Sequence, residues 1–258
     1  MDAHPILALW AHPRSLSTVT EKTMRNRGDM AVFHEPFMAD YYTHRATRPF
    51  AMLETGGDNW VDYPVMRDRI LVSAKKRPVF FKDMSYYILA RLPEDPTFAR
   101  ACRNLFLIRD PRLAIASYWK KDPEFSLEEA GLEAQWRHVL HLRDLGIEPM
   151  VVRAEDLAQD PRHVMSLVWD WAGLKFAEAF SWQAGETPDG WNHVAGWHPE
   201  VIGSTGVTPD TRDPDAVFEE AARAAPHLGT YLAHHRPFFD RLAALADSRT
   251  PALPTMLT

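Results

Sequence analysis

The chain has 258 residues, 46% of them hydrophobic and 25% charged, a globular composition that excludes wholesale disorder. Its net charge of −6, from 29 basic and 35 acidic side chains, argues against a nucleic-acid binder working through bulk positive charge. A single cysteine, Cys102, excludes an internal disulfide and a zinc site built on several cysteines.

Short apolar runs alternate with helical patterns through the first half, the signature of βαβ units around a parallel sheet. The N-terminus runs straight into a strand at Ile6–Trp10, without the positive region and long apolar core of a secretory signal. A helix is expected over Ser17–Arg27, a second strand at Ala31–Phe33, a helix over Val61–Ala74 and a third strand at Val79–Phe81. The fourth strand, Leu105–Ile108, precedes helices at Leu113–Lys120 and Leu127–Leu145, and Met150–Val152 makes a fifth. Asp160-Pro161 opens a helix over His163–Ala172, with Gly173 just past its end. Residues 181–215 then break the pattern, interleaving glycines and prolines with Trp182, Trp191 and Trp197, and a loop of that length is expected to be functional. Two helical patterns follow, Ala216–Ala225 and Tyr231–Leu245, before a tail at 248–258 that is expected to fray. The predicted architecture is one α/β domain over 1–258, a three-layer α/β/α fold with a central parallel sheet of about five strands and extra C-terminal helices. No window approaches the ~20 apolar residues of a membrane span. A cytoplasmic, reducing location is the expectation.

Two segments carry chemistry. The first, Trp10-Ala-His-Pro-Arg-Ser-Leu-Ser-Thr18, sits where strand one hands over to helix one. Backbone N–H groups and the positive helix end point there at whatever binds above the sheet. Arg14 and the hydroxyls of Ser15, Ser17 and Thr18 complete an anion cradle, although Ser and Thr also favour helix starts merely as caps. The lysine and glycines of triphosphate-binding loops are missing. The second, Phe106 to Tyr118, releases Arg109 and Asp110 at the carboxyl end of a buried strand, where open α/β sheets bind ligands. Ser117 lies two turns along the following helix, so that an arginine and a hydroxyl can clamp a phosphate. The alternative is an ordinary Arg–Asp pair closing a strand–helix turn.

In order and spacing these segments resemble the two nucleotide motifs of the sulfotransferases that use 3′-phosphoadenosine-5′-phosphosulfate (PAPS). Pro13, Arg14, Ser15, Ser17 and Thr18 match the bacterial form of the 5′-phosphosulfate loop, and Arg109, Asp110, Pro111 and Ser117 match the 3′-phosphate motif. A softer match runs from Val152 through Asp160-Pro161 to Gly173. The resemblance implies a P-loop-NTPase-like sheet, PAPS as co-substrate with 3′-phosphoadenosine-5′-phosphate (PAP) as product, and no metal. It also implies an acceptor hydroxyl or amine on a small molecule, carbohydrate or lipid.

It further implies that Arg14 neutralises the leaving phosphate and that Lys82 contacts the transferring group. Leu16 stands where the family usually has glycine, and Val19 where animal enzymes have tryptophan. Animal enzymes place a histidine two residues after that lysine, but Met84 occupies the position here and cannot take a proton. Glu35, at the end of strand two, is the preferred substitute as general base, with its pKa expected to be raised by a dehydrated cleft. Its neighbour His34 is the rival. Because adjacent residues leave a strand in opposite directions, one of the two is expected to reach the cleft. Residues 181–215 are expected to form a lid, with Ser204 and Thr205 meeting a donor phosphate. Tyr86, Tyr87 and the 38–60 stretch are candidates for acceptor contact. His138, His141, His234 and His235, without carboxylate or cysteine company, are expected to pack rather than bind metal, and Trp119 and Trp136 to lie in the core. A small-molecule kinase using ATP–Mg²⁺ and a non-catalytic nucleotide binder remain as alternatives.

Overall fold

In the computed structural model, which describes residues 3–46, 48, 61–186, 191 and 197–248, five strands form one sheet. They are β1 (Ile6–Ala11), β2 (Ala31–His34), β3 (Val79–Met84), β4 (Cys102–Ile108) and β5 (Met150–Arg153), ordered β2-β3-β1-β4-β5 and all parallel. The helices are α1 (Ser17–Asn26), α2 (Met38–His44), α3 (Tyr63–Ala74), α4 (Ser85–Ile88), α5 (Pro96–Ala101) and α6 (Pro111–Lys121). After them come α7 (Leu132–Asp144), α8 (Ala154–Gln159), α9 (Pro161–Ala172), α10 (Pro199–Ile202), α11 (Pro214–Ala224) and α12 (His227–Asp247). No helix among the described residues is long and apolar enough to cross a membrane. The stretch 49–60, much of the expected lid (187–190 and 192–196) and the tail from 249 lie outside the described residues.

The sheet is apolar on both faces because helices cover both. In β1, Ile6, Ala8 and Trp10 join a core shared with α3, α5, α7 and α12, while Leu7 and Leu9 point into a second core with α1, α8 and α9. That alternation is the two-residue period of a strand read on both sides at once. A third cluster, built from α6, α11, Phe125 and Trp197, lies beyond the first two. Half-buried Trp119 and Trp136 sit at the margins of their clusters rather than in the core interior, which corrects the expectation for both.

Four helices, α5, α6, α9 and α11, start on an Asp-Pro pair. The aspartate side chain accepts a backbone N–H of the first turn in each, at Asp95, Asp110, Asp160 and Asp213. Proline at the first helical position loses no bond, since that N–H has no intrahelical acceptor. The single helix expected over Leu127–Leu145 is broken at Gly131, whose φ of +81° suits glycine alone. A Cβ there would also lie 2.8 Å from the His12 Cβ, so the break lets α7 approach the loop after β1. From α7, Gln135 donates to the carbonyls of Trp10 and Leu107, both at 3.0 Å, and so ties the ends of β1 and β4 together.

His12 and His138 are fully buried and held to a pKa of about 3, and His235 to about 4, chiefly because burial disfavours the charged ring. His138 packs between Trp10 and Phe106, in line with the packing role expected for it. The unfolded chain takes up protons at these sites as pH falls through 6.5, whereas the folded chain does not until about 4 or lower. Stability is therefore expected to fall between pH 6.5 and 4, by close to 1.4 kcal/mol per pH unit for each ring. Urea midpoints at pH 7.5, 6 and 5 check this, and equal midpoints would mean that the rings are charged in the folded state.

Candidate active site

The strands end together at one sheet edge, and a cleft of about 870 Å³, open to solvent, lies above it. Its wall includes the whole run from Pro13 to Val19, together with Glu35, Lys82, Met84, Arg109 and His198. An apolar side is formed by Tyr86, Tyr87, Tyr118, Trp197 and Val201. Among the described residues, the non-glycine positions with positive φ are Arg14 (62°), Leu16 (68°) and Glu35 (41°), and all of them line this cleft. Left-handed backbone at such residues costs roughly 1–2 kcal/mol each and persists only where surroundings impose it. Leu16 thus keeps the turn that a glycine would make without strain.

What imposes the loop is visible. His12 lies beneath it, and its Nε2 accepts the backbone N–H of Arg109 at 3.1 Å, a bond that only the uncharged ring can make at that nitrogen. Arg109 Nη1 donates back to the Arg14 carbonyl at 2.8 Å. Arg14 Nε in turn donates to Ser117 Oγ at 2.9 Å. The two segments singled out in the sequence are therefore cross-braced, and Ser117 stands against Arg14 instead of pairing with Arg109. Ser15, fully buried, has a hydroxyl without a partner among the described residues, so that a group in the cleft can engage it. Ser17 and Thr18 open α1 in the same wall.

The two arginines are also capped by carboxylates from further along the chain. Asp210 lies 2.6 Å from Arg109 Nη2, and Glu200 lies 3.5 Å from Arg14 Nη2 and 3.3 Å from Lys121. Arg14 Nη1 additionally donates to the Trp197 carbonyl at 3.3 Å. Ser204 and Thr205 are not among the residues around the cleft, and the Ser204 hydroxyl is spent on the Val201 carbonyl and on Trp182. The segment after 197 thus reaches the arginines with acids, where the sequence suggested hydroxyls.

Between β2 and β3 sits an ion pair. Lys82, wholly buried, donates to Glu35 Oε1 at 2.5 Å and lies 3.4 Å from Thr18 Oγ1. The Glu35 backbone N–H extends the ladder by donating to the Lys82 carbonyl at 2.9 Å. Burial alone would raise the Glu35 pKa, but Lys82 and His34 outweigh it and hold the carboxyl below the usual range. The expectation of a raised value fails because the counter-charge is in contact. The neighbouring Asp83 behaves oppositely: burial and the Glu35 charge push its pKa well up, while it accepts the Phe37 and Met84 N–H groups at 2.7 and 2.8 Å. Those bonds fix the turn that carries Glu35.

His34 faces away from the cleft. Its Nδ1 lies 2.7 Å from Glu21, a buried carboxylate that also takes Arg25 and Trp191 and whose pKa falls to about 2. Its Nε2 remains 3.9 Å from Glu35 Oε1, as a second layer behind the ion pair. Elsewhere, Asp40, His44 and Asp62 bring possible metal ligands within 4.8 Å of one another, but Arg45 and Arg91 already hold Asp40. His12 and His198 escaped the sequence reading because the neighbours that define them, Arg109 and His34, are remote in the chain, and Glu21, Asp83 and Asp210 join near partners to remote ones.

A family model described as "Sulfotransferase domain" matches residues 5–234. Two curated relatives from Arabidopsis thaliana, named branched-chain-amino-acid aminotransferase-like proteins 2 and 1, are 27% and 28% identical over 216 and 218 residues. Each match covers 81% of this chain but only 37% or 38% of the relative, so the chain spans well under half their length. Among solved structures, a sulfotransferase from Alicyclobacillus acidocaldarius is similar at TM-score 0.50 and 14% identity, covering 95% of this chain and 97% of its own, a likeness of fold alone.

Replacing Glu35 by Gln is expected to destabilise the protein by on the order of 3–5 kcal/mol, because Lys82 is left buried without its counter-charge. The double variant with Lys82→Met should recover much of the loss. Denaturant unfolding of both variants checks this, and a double variant no better than the single one would sink the pairing argument.

Proposed function

The chain belongs to the sulfotransferase domain family, and from that premise we propose that it moves a sulfuryl group from PAPS to a hydroxyl or amine of an acceptor molecule. One observation carries the reading: Arg14, Lys82 and Arg109 converge with Glu35 on a single cleft at the carboxyl edge of a parallel sheet. A chain of net charge −6 has concentrated buried and half-buried cations there, and two arginines with a lysine suit a bisphosphorylated nucleotide. The uncommitted Ser15 hydroxyl offers a further contact to a phosphate oxygen.

In this reading Arg14 faces the 5′-phosphate and stabilises the negative charge that grows on the bridging oxygen as the sulfur–oxygen bond breaks. Arg109 faces the 3′-phosphate. Lys82 turns from Glu35 to the sulfuryl oxygens, and that release makes the Glu35 carboxylate more basic just as the acceptor must lose its proton. The acceptor oxygen or nitrogen bonds to sulfur, the electron pair of the breaking bond stays on PAP, and the proton goes to Glu35. The apolar side, with Tyr86, Tyr87 and Tyr118, lies where an acceptor would rest. A loop without the lysine of triphosphate-binding loops favours this donor over ATP–Mg²⁺. The lone, buried Cys102 agrees with a reducing, cytoplasmic setting.

Titration calorimetry with PAP, beside ATP–Mg²⁺, tests the donor. Selective binding of PAP is expected, and Arg109→Ala should weaken it roughly ten- to a hundredfold, the worth of hydrogen bonds to a charged group. Selective binding of ATP–Mg²⁺ would favour a kinase, and binding of neither would favour a non-catalytic relative. Asp210→Asn removes the acid that competes for Arg109, so it should tighten PAP by roughly threefold or more. Unchanged or weaker binding in that variant would mean that Asp210 does not stand in the donor's way.

A further inference from the structure

His198 comes from the turn that enters α10, a stretch with no chemical motif of its own. It is 8% exposed and lines the same cleft as Arg14, Lys82 and Glu35. Its ring stands edge-on to His34, with centroids 5.4 Å apart, and tilts against Trp191 at 5.2 Å. These rings set its plane from behind, and among the described residues no hydrogen bond engages its nitrogens.

Its position is bracketed from two sides. Trp197, one residue earlier, offers its carbonyl to Arg14 at 3.3 Å. His34, against which the ring packs, has its Nε2 3.9 Å from Glu35, whose Oε1 in turn meets Lys82 at 2.5 Å. His198 therefore shares the cleft wall with Arg14, Lys82 and Glu35, one residue from the Arg14 contact and one ring removed from the Lys82–Glu35 pair.

Resting on the donor reading above, we propose that His198 donates a hydrogen bond from its ring to an oxygen of the sulfuryl group in transfer. The ring is uncharged: burial above all, with Lys82 and His34 next, brings its pKa down to about 2. An uncharged imidazole keeps one N–H to donate and adds no charge to repel Lys82. As the acceptor bonds to sulfur and the bridging oxygen departs on PAP, the acceptor proton goes to Glu35 and His198 keeps its own. The contact needs no oxidant, metal or third substrate. It also places a residue that recognises the sulfuryl group on the same segment that caps Arg14 and Arg109.

The two nucleotides separate this contact from any general effect, because they differ by the sulfuryl group alone. Purified wild type, His198→Ala, His198→Phe and His198→Gln are each titrated with PAPS and with PAP, and thermal melts confirm that each is folded. The expected result is a roughly tenfold loss of PAPS affinity in His198→Ala, as for one hydrogen bond to a charged group, with PAP affinity changed by less than about twofold. His198→Phe preserves the packing on His34 and Trp191 without the N–H, so it should show the same loss even if the alanine variant fails to fold. His198→Gln, which restores a donor, should recover most of it. Equal losses on both nucleotides would overturn the inference, since His198 would then act on the nucleotide or on the segment's position, and so would no loss on either. Wild type that binds neither nucleotide would overturn the donor reading and this inference with it.

Discussion

The loop from His12 to Leu16 is held in a shape its own side chains disfavour, and the rest of the site is arranged around that fact. Two non-glycine residues in the left-handed region cost stability at the start of α1. The compensation comes from a partner segment that is distant in the chain but adjacent in the sheet. Because β4 lies beside β1, Arg109 leaves its strand directly under the loop, with its backbone on His12 and its side chain on Arg14. The helix that follows delivers Ser117 to the other side of Arg14. Sheet order, a property of the whole fold, thus turns two ordinary strand–helix turns into a single braced cradle.

Charge is the second organising constraint. Cations gathered in a partly dehydrated cleft repel one another and are costly to bury unless countered. The molecule counters each from within: Glu35 on Lys82, Asp210 on Arg109 and Glu200 on Arg14. Behind them Glu21 gathers His34, Arg25 and Trp191 in a buried network that links α1, β2 and the later segment. An anionic ligand meets not bare cations but cations with internal substitutes, two of them borne by one stretch after Trp197. Any anion entering the cleft competes with Glu35, Asp210 and Glu200 for the same cations.

Much of the fold was legible in the chain. Parallel strands covered on both faces are short, continuous apolar runs, so all five strands were recognisable, and each extends at most three residues beyond the expected bounds. Long helices were equally visible. What escaped were the short ones, α2, α4, α5, α8 and α10, whose few residues carry no period to detect. The break at Gly131 escaped too, because a glycine within a helical pattern reads as tolerated until the close approach of His12 shows why it must be there.

Residue types in the loop and at a strand end singled out Arg14 and Arg109, the family resemblance added Lys82 and Glu35, and the four side chains line one cleft. The sequence alone determined that much, since the carboxyl ends of parallel strands necessarily meet at one edge. Which atoms touch was decided only by the tertiary structure. Ser117 serves Arg14, Ser204 turns back on the carbonyl of Val201 in the preceding helix, and Glu35 is kept ionised by contact with Lys82. His12, His198 and Asp210 acquire their roles from neighbours 97, 164 and 101 residues away, as measured to Arg109, His34 and Arg109 in turn. The physical reason is range: propensity and periodicity act over a turn or two, whereas hydrogen bonds, desolvation and charge pairing depend on distances that exist only once the sheet has closed.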